Sequence, residues 1–416
     1  AKDGTLVFES GASLEHAIVE VGHYPEKRSD AKGVEPEGIE FATFGDTPIL
    51  FILSERGSMV APYDVTDPAN PVLMQLLPSG VSPEGIIAIP ERNLFATANE
   101  ADLGEDGLAR AHVMLFEMQE GAARYPYITS AGADELIGWA AMSGLVADPD
   151  QPGILYAVND SFFGQQPTIF TIDATQSPAR ITEALRLTRQ GRPAQKIDME
   201  GVTLDGEGGF WVASEGRSDR LIPHAILRVD VSGEIVEEIP FPAALLAHEI
   251  RFGAEGITKV GDTLWIAIQR PWGDDPANTV KLVAYNIETE EWGAVHYQTA
   301  APAGEGWVGL SEIVAHGDWF YLIERDNQIG ANAVTKLVTR VPASEMVPAA
   351  LGGALPVVTR EVVRDLIPDL LSNNGYVLDK VEGMAITPDG MGWLITDNDG
   401  VDDSSGETMF WSIGQM

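Results

Sequence analysis

The sequence predicts an all-β chain folded as one seven-bladed β-propeller over residues 1–416. Three observations carry that expectation: a short repeat, its spacing, and the strands inside each copy. Pro36-Glu37-Gly38-Ile39 recurs as Pro83-Glu84-Gly85-Ile86, Met199-Glu200-Gly201-Val202, Ala254-Glu255-Gly256-Ile257 and Val381-Glu382-Gly383-Met384. Looser copies stand at Met142-Ser143-Gly144-Leu145 and Ser311-Glu312-Ile313. Positions 37, 84, 143, 200, 255, 312 and 382 are 47, 59, 57, 55, 57 and 70 residues apart, the size of propeller blades with loop insertions.

Within the first unit, apolar runs at Gly38–Phe44, Ile49–Leu53, Met59–Val65 and Val72–Leu77 are divided by turn-forming segments, which gives four strands to the blade. The fourth unit repeats the layout, whereas the last offers only Gly383–Thr387, Gly392–Thr396 and Thr408–Ile413. The apolar run Ala17–Tyr24 is the spare strand next to the first repeat, so the two chain ends are expected to share one blade and close the ring. The long last spacing fits a small helical insertion at residues 344–371. Trp139, Trp211, Trp265, Trp319 and Trp393 fall on or beside channel-side strands and read as core.

Lys+Arg 26 against Asp+Glu 63 leaves a net charge of −37, which excludes phosphate-backbone recognition and hence nucleic acid as a partner. Anionic membrane surfaces are disfavoured for the same reason, and the longest weakly polar run, Met346–Val358, is too short to span a bilayer. The absence of cysteine removes disulfides, thiolate catalysis and thiolate metal sites. Seven scattered histidines disfavour a zinc site, and no P-loop, nucleophile elbow or dinucleotide fingerprint is present. The acidic run Asp397–Asp403 lacks EF-hand spacing, because Val401 takes a ligand position. The chain opens at Ala1 without Met or an apolar leader, as expected of an exported precursor cut to its mature form.

In an antiparallel blade the first strand starts where the second one ends, so both deliver side chains to one mouth. Starts supply Glu37, Glu84, Glu200, Glu255, Glu312 and Glu382; ends supply Glu55, Glu100, Asp160, Glu215, Glu324, Asp326, Asp397 and Asp399. So many like charges repel unless cations intervene. Glu37, Glu84, Glu200, Glu255, Glu312, Glu382, Glu215 and Asp397 are therefore candidate ligands of a hard cation. Ca²⁺ is expected, with Asn99, Asn159, Asn327 and Asn398 as further oxygen donors. Arg56, Arg217, Arg270 and Arg325 each lie just past a second strand and are candidate binders of an anionic substrate. The competing reading makes every Glu a turn cap and every Arg its ion-pair partner.

Gly138–Gly144, Tyr156-Ala-Val-Asn159-Asp160, Asp198-Met-Glu200-Gly201, Trp211-Val-Ala-Ser214-Glu215 and Ala254-Glu255-Gly256 are followed by Leu322-Ile-Glu324-Arg325-Asp326, Val381-Glu382-Gly383 and Thr396-Asp397-Asn398-Asp399. In that order, over roughly Ile137–Gly414, they resemble the family described as esterase-like activity of phytase. Gly33–Met118, with Tyr63-Asp-Val-Thr-Asp-Pro-Ala-Asn-Pro71, resembles the opening repeats of secreted, choice-of-anchor-type bacterial proteins. The resemblance implies an exported propeller, periplasmic or extracellular, with phosphoesterase activity. Ser143 in the third unit and Gln269-Arg270 in the fifth depart from the acidic pattern, which weakens those two blades as ligand donors. The expected function is a Ca²⁺-dependent phosphoesterase acting as a monomer on a small phosphorylated substrate, with Arg270, Arg325, Glu255 and Glu324 as its catalytic residues. A metal-stabilised binding scaffold and a lactonase-like hydrolase are the alternatives.

Overall fold

The computed structural model describes residues 3–164, 166–217, 220–249, 251–304, 306–401, 404 and 406–416, so Asp402 and Asp403 of the acidic run lie outside the described residues. The chain is mostly β. Each repeat opens a sheet of three to five strands, seven such sheets in all among the described residues, antiparallel but for Ile128–Thr129, which adds parallel to the edge of the third. Their first strands are Pro36–Phe44, Pro83–Ile89, Met142–Ala147, Met199–Leu204, Ala254–Val260, Val308–His316 and Val381–Ile386. Trp139, Trp211 and Trp265 are buried in the sheet-to-sheet cores, and Trp319 and Trp393 are partly buried at their edges.

The ring, however, has five members. The first strands of sheets three to seven pack side by side in sequence order, and Val381–Ile386 returns against Met142–Ala147. Sheets one and two pack on each other through Pro36–Phe44 and Pro83–Ile89, and neither belongs to that cycle. A Cβ added at Gly383 would lie 2.4 Å from the Ser143 carbonyl oxygen, so the two backbones touch and no further strand fits between them. This corrects the seven-bladed expectation.

The terminal strand pairing is corrected as well. Ser13–Glu20 is an α-helix, and Phe410–Gln415 pairs with Met391–Thr396 alone. Leu14, Ile18 and Val21 recur at helical spacing and pack on Met59 and Ala61 of sheet one and on Val34 just before it, which outweighs the short β-like run Ile18-Val19. Gly22, at φ +74°, ends the helix; its N–H reaches Val19 O (3.1 Å) and that of His23 reaches Ile18 O (3.1 Å). The insertion at 344–371 is mainly extended rather than helical. Ala349–Ala350 adds to sheet five, Glu361–Asp365 is the fourth strand of sheet six, and helix is confined to one turn at Ile367–Leu370 and a 3₁₀ turn at Ala343–Glu345. Glu361 stands opposite Arg340 across that edge and pairs with it (2.9 Å), while Val362 and Val363 favour the strand.

Glycine after the repeat acid lets adjacent first strands meet backbone to backbone. A Cβ at Gly201 would lie 2.3 Å from Glu255 O, one at Gly256 2.4 Å from Ile313 N, and one at Gly144 2.7 Å from Gly201 Cα. Gly201→Ala should therefore destabilise the protein by about 1–3 kcal/mol, the usual range for overpacking. Gly375→Ala, with nothing within 4 Å of the added methyl, should stay within about 0.5 kcal/mol of the parent. Denaturant midpoints of the two variants check this; equal midpoints would contradict it.

Candidate functional site

In every sheet the ladder between first and second strands shifts register at the repeat, between Met199 and Gly201, Ala254 and Ile257, or Val381 and Gly383, for example. A bulge re-aims the side chain it carries. It turns Glu200, Glu255 and Glu382 away from the alternation of the strand and toward the axis of the five-sheet ring. A second regularity brings in the strand ends: the N–H groups of Asp160, Glu215, Gln269 and Asp397 bond to the carbonyls of Ala141, Asp198, Gly253 and Lys380 (2.8–3.0 Å). Each of those carbonyls lies two residues before a repeat position.

The result is a cavity of about 140 Å³ lined by seven carboxylates (Asp160, Asp198, Glu200, Glu215, Glu255, Asp379, Glu382) and four cationic side chains (Arg217, Arg251, Arg325, Lys380). Glu200, Glu255 and Glu382 each offer an oxygen within 4.8 Å of the other two; Asp198, Glu200 and Glu215 form a second such group, sharing Glu200. Ser143 Oγ stands 2.8 Å from Glu200 Oε2 and 3.4 Å from Glu382 Oε2, so the serine in the glutamate's place joins the cluster after all. Gln269 Nε2 donates to Glu255 Oε1 (2.7 Å), whereas Glu255 Oε2 is buried with no partner among the described residues. An orphaned carboxylate oxygen among carboxylates and a hydroxyl fits a hard cation and suits neither a soft metal nor an organic cofactor.

Burial, then the neighbouring acids, pushes Glu200 and Glu255 well above the usual carboxylate range. Burial and Asp198 push Glu215 up to about 7, and burial lifts Asp397 to about 7 despite the Lys380 ammonium. Glu382 is the exception: burial works against its charge, but Arg325 and Lys380 together pull it below its ordinary value.

Of the remaining expected ligands, Asp397 sits with Asp160 and Asp399 around Lys380, whose ammonium already bonds Asp397 (2.9 Å) and Asp399. Glu37 and Glu84 are exposed and stand outside the cavity, grouped on sheets one and two with the buried Glu35 and Glu55 and with Glu100; Arg56 pairs with Glu55 there (3.0 Å). Glu312 points across the axis and accepts the N–H groups of Leu145 (3.2 Å) and Ile313 (3.0 Å), a fastening between strands. Glu324, expected to be catalytic, is taken up by both arms of Arg360 (2.7 Å each), Tyr297 (2.6 Å) and the Ala300 N–H (3.0 Å), outside the cavity lining.

The arginines divide. Arg325 reaches the cavity but is a buried strut: Nε donates to Ser311 (2.8 Å), Nη1 to Asp379 (3.1 Å) and Nη2 to Glu382. Arg217 lines the cavity. Arg270 lies over Phe252 (3.1 Å) and Trp307 (4.2 Å), and among the described residues its one hydrogen bond runs from Nε to Gln269 (3.2 Å). Burial lowers it to about 10, as for a guanidinium without a paired carboxylate. Beside it Arg251 and Phe252 both hold left-handed backbone (φ +75° and +59°), pinned by the Trp272 indole N–H on their carbonyls (3.1 and 3.2 Å) and by the Gly253 N–H on Glu215 (2.8 Å). Asp198, Arg251, Asp379 and Lys380 escape a search for the repeat acid alone. Asp198 and Lys380 are marked only by standing two residues before it.

The family described as esterase-like activity of phytase matches residues 137–400, the stretch that builds the five-sheet ring and this cavity. The chain belongs to that family. Residues 1–68 of this phytase-like chain match a choice-of-anchor I domain, which points to a surface or exported protein. No helix among the described residues is long and apolar enough to cross a membrane. No curated protein matches the sequence. Solved structures similar to it include the hydrazine synthase of Kuenenia stuttgartiensis (13 % identity, TM-score 0.35, 92 % of this chain and 96 % of that one). A luciferin-regenerating enzyme (10 %, TM-score 0.36, 92 % of each chain) and the PQQ-bound aldose sugar dehydrogenase of Streptomyces coelicolor (13 %, TM-score 0.34, 91 % and 93 %) are others. These are distant likenesses, and no functional argument rests on them.

Raised carboxylates tie stability to pH. With Glu215 and Asp397 near 7, the metal-free native state binds more protons than the unfolded chain between their ordinary values and about 7. Stability should therefore fall as pH rises from 5 to 8, by up to about 1.4 kcal/mol per pH unit for each group. Glu215→Gln should flatten that slope and be more stable than the parent at pH 8 in chelator. Urea unfolding at several pH values measures it, and a metal-free stability that rises over this window would contradict the assignment.

Proposed function

We propose that this cavity is the active site of an exported, Ca²⁺-dependent phosphoesterase. The observation that carries the reading is the buried Glu255 Oε2, unpartnered among the described residues, on a carboxylate grouped with Glu200 and Glu382, with the Arg270 guanidinium close by. Glu200, Glu255 and Glu382 would hold the cation, with Ser143 beside them. A cation there supplies Lewis acidity toward a phosphoryl oxygen. Arg270, kept in place by Phe252 and Trp307, and Arg217 on the cavity wall offer donors to the remaining phosphoryl oxygens. In so acidic a protein these guanidinium groups give an anion its reason to approach.

In this reading the nucleophile is water, and among the described residues no histidine or cysteine lines the cavity. Glu215, at about 7, suits general acid–base work at neutral pH. As the bond from the water oxygen to phosphorus forms and the phosphorus–alkoxide bond breaks, Glu215 takes the water's proton and can return it to the departing alkoxide. Export is supported by the choice-of-anchor match; periplasmic and extracellular placement both accord with it.

A second reading, a non-catalytic scaffold whose cation only fastens the strands, is favoured by Arg325 and Glu312, which are wholly engaged in ties across the ring. Activity and stability separate the two. Ca²⁺ at a hundredfold excess over Kd should stabilise the protein by about 2.7 kcal/mol, and a chelator should reverse the gain. Arg270→Ala should keep that response while losing at least about tenfold in kcat/KM on a phosphomonoester, equivalent to roughly 1.4 kcal/mol of transition-state binding. A parent protein that responds to Ca²⁺ but hydrolyses no phosphomonoester or phosphodiester would hand the site to the scaffold reading; hydrolysis of a lactone instead would change the substrate class.

A further inference from the structure

The five-sheet ring sets a rule for how one sheet meets the next. The first and second strands of each sheet lie against the first strand of the following one, and the glycine after the repeat acid abuts the following sheet's backbone. Sheets one and two obey it: a Cβ at Gly38 would stand 2.7 Å from Glu84 O, and their facing sides enclose Phe44, Phe51, Phe95 and Phe116. Among the described residues Gly85, the equivalent glycine of sheet two, has no such neighbour. Its added Cβ would meet only Ala98 of its own sheet, at 3.2 Å.

The side of sheet two on which Gly85 lies is bare and apolar. Gly85 pairs with Ala98 and Ile87 with Ala96, which in turn stand opposite Val113 and Leu115, so these residues share one face. The outward side of sheet one is covered by helix Ser13–Glu20 over its second and third strands, but its first strand leaves Ile39 and Phe41 open, beside Ile52 and Leu50. Ile39, Phe41, Ile87, Val113 and Leu115 are 58–68 % exposed. The strand left uncovered on sheet one is the one the rule assigns to a preceding sheet.

We infer that sheets one and two form an interface with a second copy of this chain: sheet two of each copy docks on the first strand of sheet one in the other, closing a four-sheet ring across a two-fold axis. Continuity with the existing contact between sheets one and two selects the occupant. A second copy satisfies both open flanks at once, with the glycine-to-backbone contact already made between Gly38 and Glu84, and closed two-fold assembly leaves no flank for further growth. Burying the five exposed apolar side chains drives association, and the net charge of −37 opposes it, so the contact strengthens with ionic strength. This replaces the monomer expected from the sequence and is independent of the phosphoesterase reading.

The full chain lacks cysteine, which allows a clean test. Sedimentation in 0.3 M salt, where the Debye length is about 6 Å, should give twice the 44.7 kDa chain mass at micromolar concentration. Leu115→Glu and Phe41→Glu, both at exposed positions, should return the monomer with an unchanged melting temperature. Ile39→Cys combined with Ile87→Cys, on opposite outward sides of one copy, should oxidise to a covalent dimer that neither single variant forms. A parent that stays monomeric at 100 µM, about a hundredfold above a micromolar Kd, would overturn the proposal. So would a dimer indifferent to both Glu substitutions and to the cysteine pair.

Discussion

The close approach of neighbouring first strands at the repeat glycine governs the rest of the ring. Glu255 O lies 2.3 Å from where a Gly201 Cβ would be, and the same backbone contact recurs at Gly144, Gly256 and Gly383. Strands this close gather the acids that the bulges deliver into one buried cluster, where each is largely stripped of water. Each such charge must be neutralised by protonation, by an internal cation or by a bound one. The ring thus turns a packing device into an electrostatic demand, and its chemistry follows from how that demand is met at each position.

Of the four cations that line the cavity, Arg325 and Lys380 are committed to one side. Arg325 and Lys380 settle Glu382, Asp379, Asp397 and Asp399, and Glu382 accordingly remains a ready carboxylate. Glu200 and Glu255 have no such partner, and Glu255 keeps an oxygen with nothing to accept. Uneven compensation of this kind marks a place for a ligand more sharply than acid content does. Sheets one and two make the contrast: their acids follow the same repeat, yet Glu37 and Glu84 remain in water and create no comparable demand.

The repeat, its seven sheets and the convergence of Glu200, Glu255, Glu382 and Glu215 were legible from spacing alone, because a bulge and a glycine at fixed offsets leave a periodic trace. Ring closure was not: whether Val381–Ile386 meets the first sheet or the third depends on backbone contacts far apart in sequence. Ala17–Tyr24 misled because a short apolar run suits helix and strand alike, and only Leu14 and Val21 together reveal the helical face. Arg325 and Arg270 are indistinguishable as residues following a second strand; Ser311, Asp379 and Glu382 engage the first, while Phe252 and Trp307 flank the second and leave its donors open. Glu324 was misassigned because its partner Arg360 comes from the insertion, whose extended course the spacing did not disclose.

The central claim is that the axial carboxylates of the five-sheet ring hold a hard cation. Crystals grown with Ca²⁺ and with Mn²⁺ as an anomalous substitute test it most directly. A Mn²⁺ anomalous peak bounded by Glu200, Glu255 and Glu382, with Glu255 Oε2 among its ligands, is expected, and it should be lost in Glu255→Gln. A peak confined to Glu55, Glu84 and Glu100 on sheets one and two, or fully occupied crystals with only ordered water beside Glu255, would contradict it.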